Sequence, residues 1–138
     1  MTAMASDSAG TPDGWVCAIL ICDDQPELLA AVEEVLASNP RYLVVGHAED
    51  GSSCLEQVRA TRPDLLILDV NMPGGGPEVV RAVRRIRPTV QIIVFSSGTN
   101  RRVSKMLAAG ADDYVIKTGR LQPLLDGLNR AADRITTH

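Results

Sequence analysis

Five short apolar runs alternate along this chain with five segments of helical spacing. Residues 16–22, 42–48, 65–70, 91–96 and 114–116 are rich in Val, Ile and Leu. Runs of that length suit strands covered on both faces, as in a parallel sheet. Between them the period lengthens to that of a helix. Residues 26–38 carry Leu28, Leu29, Val32, Val35 and Leu36 at helical spacing, and Pro26 suits a first turn. Ser53 followed by Glu56 predicts a capping box that opens a second helix, with Leu55 and Val58 turned inward. Pro77 starts a third, whose Val79, Val80, Val83 and Ile86 share a face, and Pro88 follows its end. A fourth, over 100–109, buries Val103, Met106 and Leu107, and Gly110 suits the left-handed position after it. In the fifth, Leu121, Leu124, Leu125, Leu128, Ala132 and Ile135 form one stripe. Strictly alternating strands and helices imply an α/β fold, a doubly wound parallel sheet with helices on both faces. Ligands of such sheets bind beyond the carboxyl ends of the strands.

Composition narrows the picture. The 138 residues suit one domain, 45% are apolar and 22% charged, and the net charge is −3. That balance argues against direct nucleic-acid binding, which needs a concentrated basic face. No apolar run reaches the roughly 20 residues of a membrane span. Residues 1–14 are rich in Ala, Ser, Gly and Asp, read as a disordered tail ahead of a domain over 15–138. They contain no secretory pattern, which makes the cytoplasm the expected compartment. Cys17, Cys22 and Cys54 show no metal-ligand spacing and read as reduced, small hydrophobes.

The candidate chemistry sits at the strand ends. Asp23 and Asp24 follow the first run, Asp69 closes the third with Asn71 two residues on, Ser96 and Ser97 close the fourth, and Lys117 follows the fifth. Three carboxylates brought together repel, each pair by about 4 kcal/mol at 4 Å and an effective dielectric near 20. A hard divalent cation relieves that cost, and Mg2+ suits few carboxylates, a backbone carbonyl and retained waters. With the ammonium of Lys117 and the hydroxyl of Ser96, the set suits an incoming phosphoryl group. Asp69, the central carboxylate, is the natural nucleophile, because carboxylates form aspartyl phosphates.

The run LLILDVNMPG, the pair Asp23-Asp24 after AILIC, and the segments IIVFSS and AAGADDYVIK together resemble a response regulator receiver domain, over roughly residues 16 to 135. The wording VVGHAEDG and DVNMPGGG is similar to receivers that precede helix-turn-helix output domains. The resemblance implies a flavodoxin-like (βα)5 sandwich with its five parallel strands in the order 2-1-3-4-5. It implies phosphorylation of Asp69 by a histidine kinase of a two-component system. Mg2+ is then held by Asp24, by Asp23 through water, by Asp69 and by the backbone carbonyl of Asn71. Ser96 and Lys117 bind phosphoryl oxygens, Ser96 and Tyr114 act as the switch, and the fourth helix, fifth strand and fifth helix form the output face. The partners implied are a histidine kinase and a downstream protein or an output domain absent from this chain, with a homodimer possible. Such a chain shows no conventional enzymatic turnover beyond its own phosphoryl chemistry. Two departures stand out. Thr118 follows the lysine where the family often has a proline in a cis peptide, and a non-proline cis bond costs about 2.5–4 kcal/mol. The loop after Pro73 is a triple glycine, 74 to 76, which reads as unusually permissive.

Each residue also has a plainer reading. Asp23 and Asp24 alone suit a turn, Asp69 a cap, Lys117 a solvated charge, Ser96 a hydroxyl bonded to nearby backbone, and Tyr114 packing. His47 and His138 read as surface or half-buried imidazoles, and Arg81, Arg84, Arg85 and Arg87 as the solvated face of the third helix. The main alternative function is a degenerate receiver, acting as a phosphorylation-independent interaction module. A phosphohydrolase wants a second carboxylate where Asn71 stands, and a flavin site wants a phosphate-cradling loop where Asp23-Asp24-Gln25 supplies negative charge.

Overall fold

The computed structural model describes residues 14–98 and 101–136. The expected tail lies outside these residues except for Gly14, as does His138. Chain order is β1 (Cys17–Cys22), α1 (Pro26–Ala37), β2 (Tyr42–Ala48), α2 (Gly51–Thr61), β3 (Leu65–Asp69), α3 (Pro77–Ile86), β4 (Gln91–Ser96), α4 (Arg101–Ala108), β5 (Asp113–Ile116) and α5 (Gln122–Thr136). All neighbouring strands are parallel and their order is β2-β1-β3-β4-β5, the flavodoxin-like arrangement. Among the described residues no helix is long and apolar enough to cross a membrane.

The two-residue period of the strands sorts their side chains into two cores. Leu20, Cys22, Leu66, Leu68, Ile92 and Val94 face α2, α3 and α4, whereas Ile19, Ile21, Leu65, Ile67, Ile93 and Phe95 face α1 and α5. Every residue of β3 is buried, as a central strand covered on both sides must be. Each Leu or Ile so buried contributes roughly 1.5–3 kcal/mol. β2 differs from the expected doubly covered strand: it lies at the sheet edge and leaves Leu43 57% exposed.

Local chemistry sets the helix starts. Pro26 and Pro77 open α1 and α3, as their fixed φ and missing N–H allow. The expected box at Ser53 and Glu56 is corrected. Asp50 is the N-cap of α2 and accepts from the Ser53 N–H at 2.7 Å, while the Ser53 hydroxyl accepts from the Asp50 N–H at 3.3 Å. An aspartate caps as well as a serine, so the helix begins at Gly51. Gly110 follows α4 with φ +123°. The triple glycine is also corrected: a Cβ on Gly75 would lie 2.6 Å from the Asp69 carbonyl oxygen, and Gly74 has φ +72°. These glycines permit close packing beside β3 more than they loosen the loop.

Candidate functional site

Parallel pairing aligns the carboxyl ends of β1, β3, β4 and β5 on one edge, and this brings together residues far apart in sequence. Asp23 follows β1, Asp69 ends β3, Ser96 ends β4, and Lys117 follows β5. Asp23, Asp69 and Ser96 are each about 1% exposed, and each comes directly after a buried apolar run. Lys117 reaches across the edge, its Nζ lying 3.0 Å from Asp23 Oδ2 and 3.5 Å from Asp69 Oδ1. Asp23, Asp24 and Asp69 each offer a carboxylate oxygen, all within 4.8 Å of one another. Three carboxylates thus face one ammonium. That donor set is hard and all-oxygen, which fits Mg2+ better than a thiolate- or imidazole-seeking ion.

The two buried carboxylates are held by backbone as well. Asp23 Oδ1 accepts from the Gln25 N–H at 2.9 Å, and Asp69 Oδ1 from the Asn71 N–H at 3.0 Å. Asp24 faces solvent at the mouth. Burial pushes the Asp69 carboxyl above the ordinary carboxylate range; the Asn71 N–H lowers it, the charge on Asp23 raises it, and Lys117 lowers it. A raised value marks a carboxylate whose charge is incompletely compensated.

The remaining expected residues are placed with more nuance. The Ser96 hydroxyl donates to the Gly98 carbonyl at 3.0 Å and accepts from the Gly98 N–H at 3.2 Å, so here it serves the β4–α4 loop. The Asn71 side chain turns toward α4, accepting from Arg102 at 2.8 Å and donating to the Ser97 hydroxyl at 3.3 Å. Tyr114 is 41% exposed on β5, at the surface beside α5. No described peptide bond is cis, Lys117–Thr118 included. His47 is exposed, as expected. The cysteines are buried: burial pushes Cys17 up to about 12, and the hydrogen bond with Cys54, followed by burial, raises Cys22 well above its usual value. Such thiols are inert.

Sequence reasoning missed several participants. Gln25 accepts from Lys117 at 3.3 Å, and the Phe95 ring lies 5.3 Å from its ammonium. Arg102 had no distinguishing signal, since only the fold brings α4 beside Asn71. The arginines of α3 are corrected in part. Arg84 bonds the carbonyls of Gly110, Pro88 and Val90 and pairs with Asp112, and Arg87 donates to the Pro63 carbonyl at 2.5 Å. Of the four, Arg81 and Arg85 are exposed and Arg84 and Arg87 are half-buried.

Comparison with known proteins agrees with this geometry. The chain is 37% identical over 116 residues to the nitrate/nitrite response regulator NarL of Escherichia coli K12, covering 83% of this chain and 54% of that protein. It is 40% identical over 103 residues to a protein-glutamate methylesterase/protein-glutamine glutaminase of Nocardioides sp., covering 72% of this chain and 28% of that protein. The chain therefore spans about half the length of NarL, and less of the methylesterase. Its fold superposes on the response regulator domain of Thermotoga maritima CheB with TM-score 0.78 and 26% identity, over 86% of this chain and 98% of that one. The family model described as the response regulator receiver domain matches residues 19–129, from the first buried strand into the last helix. With the acidic edge, the opposed lysine and the sheet order all inside that span, the chain belongs to the response regulator receiver domain family.

Proposed function

We propose that this receiver accepts a phosphoryl group on Asp69 from a histidine kinase, in a reaction that requires Mg2+. The observation that supports it most is the meeting of Lys117 with Asp23 and Asp69, at 3.0 and 3.5 Å, on one strand edge. An Asp69 carboxylate oxygen attacks phosphorus, the bond from phosphorus to the donor imidazole nitrogen breaks, and that nitrogen keeps the electron pair. Asp23, Asp24, Asp69 and the Asn71 carbonyl would hold Mg2+, which when bound neutralises phosphoryl oxygens. Lys117 supplies the fixed positive charge on the other side, and Phe95 and Gln25 hold its ammonium in place. A cleft of about 560 Å3 beside Lys117, walled by Leu28, Ala31, Phe95 and Leu121, offers the donor a seat.

Phosphorylation would then be read as movement. Ser96 exchanges its bond to Gly98 for one to a phosphoryl oxygen, and the β4–α4 loop moves inward. Tyr114 moves from its exposed place toward the space vacated, which alters the α4–β5–α5 face. That face would signal to a downstream protein, a second copy of the chain or an output domain, in the cytoplasm. The similarity to NarL supports control of transcription through such a domain, with no DNA contact by this chain itself.

The test is incubation with acetyl phosphate and Mg2+, read by intact mass. One phosphoryl adduct is expected, absent in EDTA and absent in Asp69→Asn. A protein that takes up no phosphoryl group is a phosphorylation-independent interaction module instead, and equal uptake without Asp69 removes that residue as the acceptor.

A further inference from the structure

A net charge of −3 conceals a strong separation of charge. Residues 77–110, which form α3, β4 and α4, hold seven of the fourteen lysines and arginines and one of the seventeen acidic residues. On the opposite face of the sheet, α1 carries Glu27, Glu33 and Glu34 and no basic residue. Of the seven cations, Arg84 and Arg87 are spent on backbone carbonyls and on Asp112 and Asp64. The other five are exposed: Arg81 and Arg85 on α3, and Arg101, Arg102 and Lys105 on α4.

Helical spacing gathers the exposed cations of each helix on one face, and α3 packs beside α4. Arg81, Arg84 and Arg85 lie along one stripe of α3, and Arg84 reaches Gly110 just beyond the end of α4. Arg101 and Lys105 are one turn apart on α4. Each of the pairs Arg81–Arg85 and Arg101–Lys105 sets like charges at i,i+4, which weakens a helix slightly and gains nothing inside the molecule. Arg102 bonds Asn71, so the patch abuts the loop that follows Asp69.

Between the start of α3 and α4 the surface sinks into a recess of about 410 Å3. Buried Met72 and Met106 line it along with Gly75 and Pro77, and Arg102 and Lys105 stand at its rim. Methionines adapt to varied apolar shapes. An apolar floor under a cationic rim suits a ligand with one apolar side chain among several carboxylates. Nucleic acid fits less well, since no aromatic residue lies on α3 or α4 to stack a base. We propose that the α3–α4 face docks an acidic polypeptide segment, which seats an apolar side chain between Met72 and Met106. This surface shares α4 with the α4–β5–α5 face and differs from it by α3 and the recess between the two helices, and the proposal does not rest on phosphoryl transfer.

The probe is a fluorescent synthetic peptide rich in glutamate with a single leucine, titrated with the full chain at low salt and read by anisotropy. Binding is expected to weaken with salt. Replacing the leucine by serine should weaken it several-fold. The variant Arg81→Gln/Arg85→Gln/Arg101→Gln/Lys105→Gln alters only exposed side chains, and it should lose about tenfold or more, with an unchanged circular dichroism spectrum. Glu27→Gln/Glu33→Gln/Glu34→Gln should bind as the unaltered chain does. Equal binding by the four-residue variant overturns the proposal, as does no binding at all. A DNA duplex that binds more tightly than the peptide reassigns the face to nucleic acid. Low-salt self-association that either variant abolishes reassigns it to a second copy of the chain.

Discussion

The two edges of the sheet both gather charge, and they treat it in opposite ways. At the amino edge, where α3 ends, two arginines meet two aspartates. Arg84 pairs with Asp112, and Arg87 lies 3.5 Å from Asp64. Those aspartates also accept backbone N–H groups, Asp112 from Ile92 at 2.8 Å and Asp64 from Ala18 at 2.9 Å. At the carboxyl edge, among the described residues, Asp23 and Asp69 pair with one and the same Lys117 and accept one backbone N–H each, with Asp24 exposed beside them. One edge is neutral and stitches the loops to the sheet. The other retains unbalanced negative charge in a buried place, which costs stability and leaves room for a cation. Only the second arrangement leaves negative charge for an incoming cation to meet.

The largest effect should come from breaking the balanced edge. Arg84→Ala removes bonds to three carbonyls and strands Asp112 beside the sheet. Both side chains retain about a quarter of their exposure, so solvent screens part of the loss. The expected cost is about 2–3 kcal/mol in urea unfolding. Phosphoryl uptake by the folded fraction should be unchanged. If uptake falls in proportion to stability lost, the edges are coupled and the contrast fails.

A smaller loss should follow from crowding the carboxyl edge without altering its charge. A Cβ on Gly51 would lie 2.3 Å from the Gly74 carbonyl oxygen, and the Gly51 N–H donates to the Pro73 carbonyl at 2.8 Å. Backbone cannot yield as a long side chain can, so Gly51→Ala should cost roughly 1–2 kcal/mol. Because the same loop packs on the Asp69 carbonyl through Gly75, phosphoryl uptake should slow as well. A stable, fully reactive Gly51→Ala protein would show that the loop is as permissive as its three glycines suggest.

This difference in what could be foreseen has a physical basis. Hydrophobic period is local, so the strands, the helices and the edge bearing Asp23, Asp69, Ser96 and Lys117 could be read along the chain. The roles of Arg84 and Arg102 could not, because each depends on a partner brought close only by the finished fold, Gly110 in one case and Asn71 in the other. The cap on α2 was misread for a subtler reason. Ser53 fits two boxes, one looking forward to Glu56 and one back to Asp50, and spacing alone does not choose between them.

Removing charge from the carboxyl edge should reverse the sign. The folded Asp69 carboxyl titrates above its ordinary value of 3.8, mainly through burial. The folded state then holds the proton more tightly than the unfolded chain, so stability falls as pH rises from 3.8 through the folded value. Asp69→Asn retains an oxygen for the Asn71 N–H and carries no charge. In metal-free buffer at neutral pH it should be more stable by about 1 kcal/mol. The gain should vanish under acid conditions, where both proteins are uncharged at this position. An equally or less stable Asp69→Asn protein would mean that Lys117 already compensates the charge, and that the two edges are alike.

The smallest effect is the sharpest control, because Asp50 lies on the same edge as Asp69 and behaves like the aspartates of the other. Its carboxylate accepts the Ser53 N–H at the start of α2, and that bond holds its carboxyl below the ordinary range. Here the unfolded chain holds the proton more tightly. The stabilisation is therefore fully present above 3.8 and is lost as pH falls through the folded value. Asp50→Ala should lower the melting temperature modestly at neutral pH, and its deficit should shrink on acidification. Asp50→Asn, which keeps the capping oxygen, should recover most of the loss and abolish the pH dependence. Opposite slopes for Asp50 and Asp69, measured over the same pH range, would locate the contrast in the partners each carboxylate has and not in its place on the sheet. Parallel slopes would mean that position at the carboxyl edge governs both, and that the N–H of Ser53 does no more for Asp50 than solvent would.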